Sequence, residues 1–275
     1  MLFRSLEVES DADLMAVGEV ASATEVPVIV IGKGSNVLVS DEGFPGIVVR
    51  LGRSYRWAAR ERGDLVAGGA MPLPALAGVA LTHRLTGLEF GVAIPASLGG
   101  AVKMNAGAHG RSLSEVVTAV EVHELRGGER RWIPAEQVGF RYRRSELPED
   151  GVVIGARVAL APGSVEAIRE EMAAARRWRR ETQPLAQPNC GSVFTNPPGD
   201  HAARLIEAVD GKGFRIGGAE VSRKHANFIV ADPGARASDV AAIIGALQRR
   251  VRERFEVELE PEVRFVGEFD EARRA

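Results

Sequence analysis

The run Gly32-Lys33-Gly34-Ser35-Asn36 closes an apolar, β-branched stretch and sets two glycines, an amine, a hydroxyl and an amide side by side. Glycines let successive backbone N–H groups converge as a nest for an anion, and Lys33 and Ser35 add donors. The spacing is not GxxxxGK[ST]. Nor is it a dinucleotide fingerprint, because Val37 occupies the third glycine position and no helix follows. A plain glycine turn is the competing reading. The run Pro95-Ala96-Ser97-Leu98-Gly99-Gly100-Ala101-Val102-Lys103-Met104-Asn105-Ala106-Gly107-Ala108 has few bulky side chains. It builds little core, but it allows a flat ligand or another backbone to approach closely. Ser97 is placed to cap a short helix whose N-terminus faces a phosphate; close packing of a tight loop is the alternative. Two separated glycine-rich cradles suit a dinucleotide with two phosphates.

Tyr142-Arg143-Arg144-Ser145 offers guanidinium groups suited to holding a carboxylate through two hydrogen bonds, or simply a solvated face. In Asn189-Cys190-Gly191-Ser192-Val193-Phe194 the small neighbours expose the Ser192 hydroxyl, but the GxSxG elbow is missing and no base is paired with it. A hydrolase nucleophile is therefore not expected; a hydroxyl donor in a site and a turn serine stay open. Glu258, Glu260 and Glu262 alternate on an expected strand that Pro261 interrupts, a pattern that re-aims a carboxylate at a bulge or marks surface charge. The histidines His83, His109, His123, His201 and His225 show no metal-ligand spacing, and Cys190 is the only cysteine, so no metal site is expected. Arg176, Arg177, Arg179 and Arg180 around Trp178 read as a solvated helix face.

The elements that must position these groups are short strands with glycine turns: 26–31, 37–39, 46–50, 116–125, 130–133 and 152–160. Helices are expected at 72–84, 97–103, 165–182, 200–209 and 235–254, with a strand pair near 257–259 and 263–266. The character changes at Ala161-Pro162-Gly163-Ser164, where a domain boundary is expected. With 45% apolar residues the chain can bury a sizeable core. A formal charge of −2 gives no global attraction to nucleic acid or an anionic membrane. The start carries acids where a signal peptide runs apolar, and no stretch reaches a membrane span, so a soluble, cytoplasmic protein is expected.

Taken together and in this order, residues 32–36, 95–108, 142–145, 189–197, 212–230 and 259–265 resemble the UDP-N-acetylenolpyruvoylglucosamine reductase (MurB) family. Residues 215–228, Arg-Ile-Gly-Gly-Ala-Glu-Val-Ser-Arg-Lys-His-Ala-Asn-Phe, look particularly like it. The separation of Arg143 from Ser192 resembles the shorter family type, which lacks an inserted tyrosine loop. The resemblance implies an α+β fold. A vanillyl-alcohol-oxidase-type FAD-binding domain would span 1–160, with two lobes meeting near residue 52. An α+β substrate-binding domain would span 161–275, its C-terminal strand returning to the active site.

It also implies a reaction in peptidoglycan synthesis, with FAD and NADPH as cofactors and a UDP-sugar as substrate: reduction of the enolpyruvyl double bond to give UDP-N-acetylmuramate. The catalytic residues would be Ser192, Arg143 and Glu262. FAD would lie against Gly32, Lys33, Gly34, Ser35, Asn36, Pro95, Ser97, Gly99, Gly100, Asn105, Ala106 and Gly107. The substrate would meet Tyr142, Arg143, Asn196, His225 and Asn227. A monomer with neither nucleic-acid nor membrane partners is expected.

Departures from the family pattern are specific. Thr195 stands where many members have lysine, Ala96 where a glycine is usual, and Ala231 where asparagine is common. A Thr-x-x-x-Gly-Gly segment that members carry before the first strand is not found, which reads as a misplaced start or a trimmed form. The competing functions are a flavin oxidoreductase of the same fold acting on another substrate, and a non-catalytic flavin or nucleotide-sugar binding protein.

Overall fold

Ser10 opens the first helix of the computed structural model, which describes residues 5–269. Its hydroxyl accepts from Asp13 N at 3.2 Å and the Asp13 carboxylate accepts from Ser10 N at 3.0 Å, a reciprocal cap. This helix, α1 (Asp11–Thr24), buries Leu14, Val17, Gly18 and Ala21, a single stripe at helical spacing. A Cβ on Gly18 would lie 1.8 Å from the Leu125 carbonyl oxygen, so glycine is what lets the helix lie against that loop. The strand Ser5–Val8 and α1 precede the first element expected from sequence; the small residues on the buried face of α1 leave little apolar signal.

The chain forms two compact units. Of the described residues, the larger comprises 5–33 together with Gly46–Trp178; the smaller comprises Gly34–Pro45 together with 179–269. In the larger unit, Ile47–Leu51 lies between Ser5–Val8 and Val28–Val30 in a parallel sheet. An antiparallel sheet of five strands runs in the order Arg130–Pro134, Val117–Glu124, Gly151–Val158, Asp64–Gly68, Ala58–Glu61. Val120 and Val122 on one face of it join the core with α2 (Leu73–Thr82) and α3 (Leu98–Lys103); Leu125, Val152 and Ile154 belong to a second cluster with Leu14 and Val17.

The helix α4 (Val165–Thr182) has the bounds expected from its charge and periodicity, with Ser164 Oγ accepting from Ala167 N. Its buried stripe, Ile168, Met172 and Ala175, belongs to the core of the larger unit. By compactness the change of unit therefore falls after Trp178, later than the composition change at 161. In the smaller unit, α5 (Ala202–Ala208) and α6 (Ala237–Phe255) share a core with the antiparallel strands Arg215–Ile216, Ala219–Val221 and Ile229–Ala231. The strand Val37–Val39 pairs in parallel with Arg264–Val266. The Asp41 carboxylate accepts from Ala237 N at 2.7 Å and Ser238 N at 3.1 Å, capping α6.

One expected strand is absent among the described residues. The segment 257–259 forms no ladder: Glu256 leaves α6 with φ +57°, and Leu259 is buried with its carbonyl held by Gln248 Nε2 at 2.8 Å. Pro261, which has no N–H to donate, makes only an isolated bridge with Phe194. Glu258, Glu260 and Glu262 thus do not share a strand. No helix among the described residues is long and apolar enough to cross a membrane.

Candidate active site

In the larger unit, the Gly32 turn and the Pro95–Ala108 loop meet. A Cβ on residue 32 would lie 2.2 Å from Ser97 Oγ and 4.0 Å from Gly100 Cα, so the backbone touches the hydroxyl only because Gly32 has no side chain. Ser97 is buried at 6% exposure, and its hydroxyl makes no cap bond to α3. Two of the α3 amides are already engaged: Leu98 N donates to Met71 O at 2.8 Å and Gly99 N to Gly69 O at 2.9 Å. Gly99 serves packing, since a Cβ there would lie 2.8 Å from Val153 O on the five-stranded sheet. Pro95 and Lys33 are exposed, while Gly100, Ala106 and Gly107 are half-buried.

Asn105 is buried and adopts φ +41°. Its Oδ1 accepts from Ser114 N at 2.9 Å, and its Nδ2 donates to Arg141 O at 2.9 Å. This amide ties the small-residue loop to the turn that presents Tyr142 and Arg143, a turn closed by reciprocal bonds between Arg141 and Arg144. Arg143 has φ +55°; its Nη2 donates to Gly107 O at 2.9 Å, and its guanidinium lies 4.9 Å from the centre of the exposed Tyr142 ring. The arginine that sequence singles out is thus aimed by the same loop that sequence reads as a cradle. The Asn105–Ser114–Arg141 link carries no short-range signal, because its members are far apart in the chain.

These residues fit a flavin dinucleotide. A buried, uncapped hydroxyl stands where two small-residue backbones meet, at a point a single Cβ would fill. Ser97 and the Gly32 turn are the residues that could hold the pyrophosphate.

In the smaller unit the remaining candidates gather around Val193. Gly34 has φ +70°, and a Cβ on Gly191 (φ +80°) would lie 3.4 Å from Ser35 O. Asn36 Nδ2 donates to Glu262 O at 3.0 Å, and Arg264 N donates to Asn36 O at 3.0 Å. Glu262 N donates to Val193 O at 2.8 Å, and Val193 N to Asn227 O at 2.9 Å. Ser192, half-buried, is therefore flanked by segments that carry Asn36, Glu262 and Asn227.

Asn227 is buried, and both ends of its amide are engaged by the backbone of Phe194, Oδ1 accepting at 2.9 Å and Nδ2 donating at 2.8 Å. Asn227 N donates to His225 Nδ1 at 3.2 Å, which requires that nitrogen to be unprotonated. Burial, with Lys212 nearby, holds the His225 imidazole below its ordinary value. Asn196 is exposed, and its Oδ1 accepts from Ala202 N at 3.1 Å at the start of α5. Cys190 is buried and its thiol is pushed up to about 11, so it stays protonated and inert at neutral pH. Thr195 lies on the same stretch, its N–H donating to Glu260 O at 2.9 Å.

Comparison with known proteins gives two matches along the chain. Residues 5–133 match the FAD binding domain family, and residues 183–266 match the UDP-N-acetylenolpyruvoylglucosamine reductase C-terminal domain family. The UDP-N-acetylenolpyruvoylglucosamine reductase of Myxococcus xanthus is 45% identical over 260 residues, 93% of this chain and 83% of that protein. That of Heliobacterium modesticaldum is 45% identical over 94% of this chain and 82% of its own length. The crystal structure of the Thermus caldophilus enzyme superposes with a TM-score of 0.79 at 38% identity, covering 94% of this chain and 91% of that one. With this much of both chains shared in sequence and fold, the protein belongs to the UDP-N-acetylenolpyruvoylglucosamine reductase (MurB) family.

Proposed function

We propose that the protein reduces the enolpyruvyl double bond of UDP-N-acetylenolpyruvoylglucosamine to give UDP-N-acetylmuramate, the peptidoglycan precursor, with NADPH as reductant. FAD, when bound, carries the hydride from NADPH to the substrate. The observation that carries this reading is the Glu262 N–H bond to Val193 O, which sets a carboxylate-bearing residue against the one that follows Ser192.

Hydride addition to an enol ether conjugated with a carboxylate pushes negative charge onto that carboxylate. Arg143, aimed by Gly107 and Tyr142, supplies the cation that stabilises this charge. Ser192 delivers the proton to carbon, and Glu262 polarises the same region. A serine hydroxyl is a weak acid, so this step needs a strongly basic intermediate and exclusion of water. Tyr142, Asn196 and His225 meet the substrate. Asn36 holds the Glu262 carbonyl in place.

The test is anaerobic. NADPH is added to purified protein while the flavin absorption band is followed, then UDP-N-acetylenolpyruvoylglucosamine is added. Bleaching followed by recovery is expected. Bleaching without recovery points to a flavin oxidoreductase with another acceptor, and no flavin band after supply of FAD points to a non-catalytic binding protein.

A further inference from the structure

Val193 and Phe194 have every backbone polar group committed. Val193 N donates to Asn227 O at 2.9 Å, and Val193 O accepts from Glu262 N at 2.8 Å. Phe194 N donates to Asn227 Oδ1 at 2.9 Å, and Phe194 O accepts from Asn227 Nδ2 at 2.8 Å. Three of these four bonds come from one asparagine. Its side-chain amide lies against the Phe194 backbone as a neighbouring strand would, with donor and acceptor both in register. Both Val193 and Phe194 are buried at 1% exposure, so their side chains are locked in the core of the smaller unit. Ser192 is the first residue outside this anchor, and Gly191 before it sits at φ +80°, where only a glycine is unstrained. The serine's backbone is thus held on its C-terminal side by this anchor, while on its N-terminal side Gly191 N donates to Asn189 Oδ1 at 3.0 Å.

Asn227 is itself held. Its N–H donates to His225 Nδ1 at 3.2 Å, and Ser222 Oγ accepts from Lys224 N at 3.2 Å and His225 N at 3.4 Å, closing the turn that carries it. At 5% exposure, with both ends of the amide engaged, Asn227 is built to position protein rather than to read a sugar.

We propose that Asn227 is a positioning residue for the second half-reaction, in which the substrate is reduced and the flavin reoxidised, setting the Ser192 hydroxyl by clamping the Val193–Phe194 backbone through its side-chain amide and its own carbonyl. The inference rests on the reading of Ser192 as the proton donor. An asparagine is required because one end of the side chain must donate and the other accept. Aspartate keeps the shape and the acceptor but turns the donor that faces Phe194 O into a second acceptor. A buried carbonyl facing a carboxylate loses its bond and repels, so the backbone moves.

The experiment compares Asn227→Asp and Ser192→Ala in the flavin-loaded full chain. For Asn227→Asp, NADPH should bleach the flavin at the wild-type rate. Recovery on adding UDP-N-acetylenolpyruvoylglucosamine should slow about a hundredfold, the usual effect of a small misplacement of a reacting group. KM should stay near wild type while kcat falls. The solvent deuterium isotope effect on recovery should grow, because proton delivery has become limiting. A raised KM with unchanged kcat would instead make Asn227 a ligand contact and overturn the proposal. An equal fall of both half-reactions, with no change in isotope effect, would reduce it to a fold residue and also overturn it. Wild-type recovery in Ser192→Ala would sink the proton-donor reading itself, whereas a silent Asn227→Asp beside an inactive Ser192→Ala would sink only the clamp. If Asn227→Asp does not fold, Asn227→Gln, which keeps both amide groups but displaces them by one methylene, is read by the same criteria.

Discussion

Glu262 is fixed through its main chain on both sides: its N–H donates to Val193 O at 2.8 Å, and its carbonyl accepts from Asn36 Nδ2 at 3.0 Å. The segment after Ser192 and the end of the glycine turn thus share one residue as their common anchor. Geometry fixed by backbone bonds is geometry the reaction does not have to reorganise. Neither bond depends on the identity of the Glu262 side chain, so a substitution there tests chemistry rather than placement.

Ser192→Ala is accordingly expected to leave flavin bleaching by NADPH intact and to slow recovery by about 10²–10⁴-fold, the range associated with loss of a positioned proton donor. Glu262→Gln should damage the same half-reaction and leave the first untouched. Stopped-flow absorbance of the two steps checks both. A matching fall in bleaching would remove Ser192 from the role of proton donor.

Arg143→Lys keeps the positive charge but loses the planar fork and the stacking on Tyr142. The expected loss is about 2 kcal/mol of transition-state stabilisation, or about thirtyfold in kcat/KM. Steady-state kinetics with saturating NADPH measures it, and an unchanged kcat/KM would take Arg143 out of contact with the developing charge.

The parts of the fold with strong periodicity were legible. The helix Val165–Thr182 reads correctly because charge and apolar spacing agree, and Val37–Val39 because turns bracket it. The helix Asp11–Thr24 was not legible, since its buried face includes Gly18 and Ala21 and offers little contrast. The strand read at 257–259 failed because alternation of Glu258, Leu259 and Glu260 sets burial without setting a partner strand. Within the candidate site, residue types drew attention to Ser97, Arg143 and Ser192 with plainer readings left open, and the family resemblance singled out Glu262 among the alternating glutamates. What holds them was hidden: Asn105 reaches Arg141, Asn36 reaches Glu262 and Asn227 reaches Phe194 across long stretches of chain, and one sequence does not record such pairs.

Asp41, between the strands expected at 37–39 and 46–50, is a further case. Its carboxylate receives the first two amides of α6, which otherwise have no intrahelical acceptor. Asp41→Ala should cost about 1–2 kcal/mol of stability, seen as a lower urea midpoint with an unchanged slope. An unchanged midpoint would mean that water caps α6 equally well.

His123 is expected to make the stability of the protein fall in acid. It lies in Val117–Glu124 at 1% exposure, and neither ring nitrogen has a partner. Burial holds its imidazole below the ordinary 6.5, Asp11 opposing and Arg130 adding to the effect. The native state thus binds this proton less readily than the unfolded chain. Its contribution is fully present above pH 6.5 and is lost as the pH falls from there toward the lowered folded value. His225 titrates in the same direction, also depressed chiefly by burial. Replacing His123 with leucine removes two buried, unsatisfied nitrogens as well as the titration. His123→Leu should therefore gain about 1 kcal/mol at neutral pH and more under acid. It should flatten, though not abolish, the dependence of stability on pH, because His225 remains. Urea unfolding of both proteins at about pH 5.5 and about pH 7.5 decides the matter. Equal pH slopes in the two would show that His123 is already protonated, or solvated, in the native state.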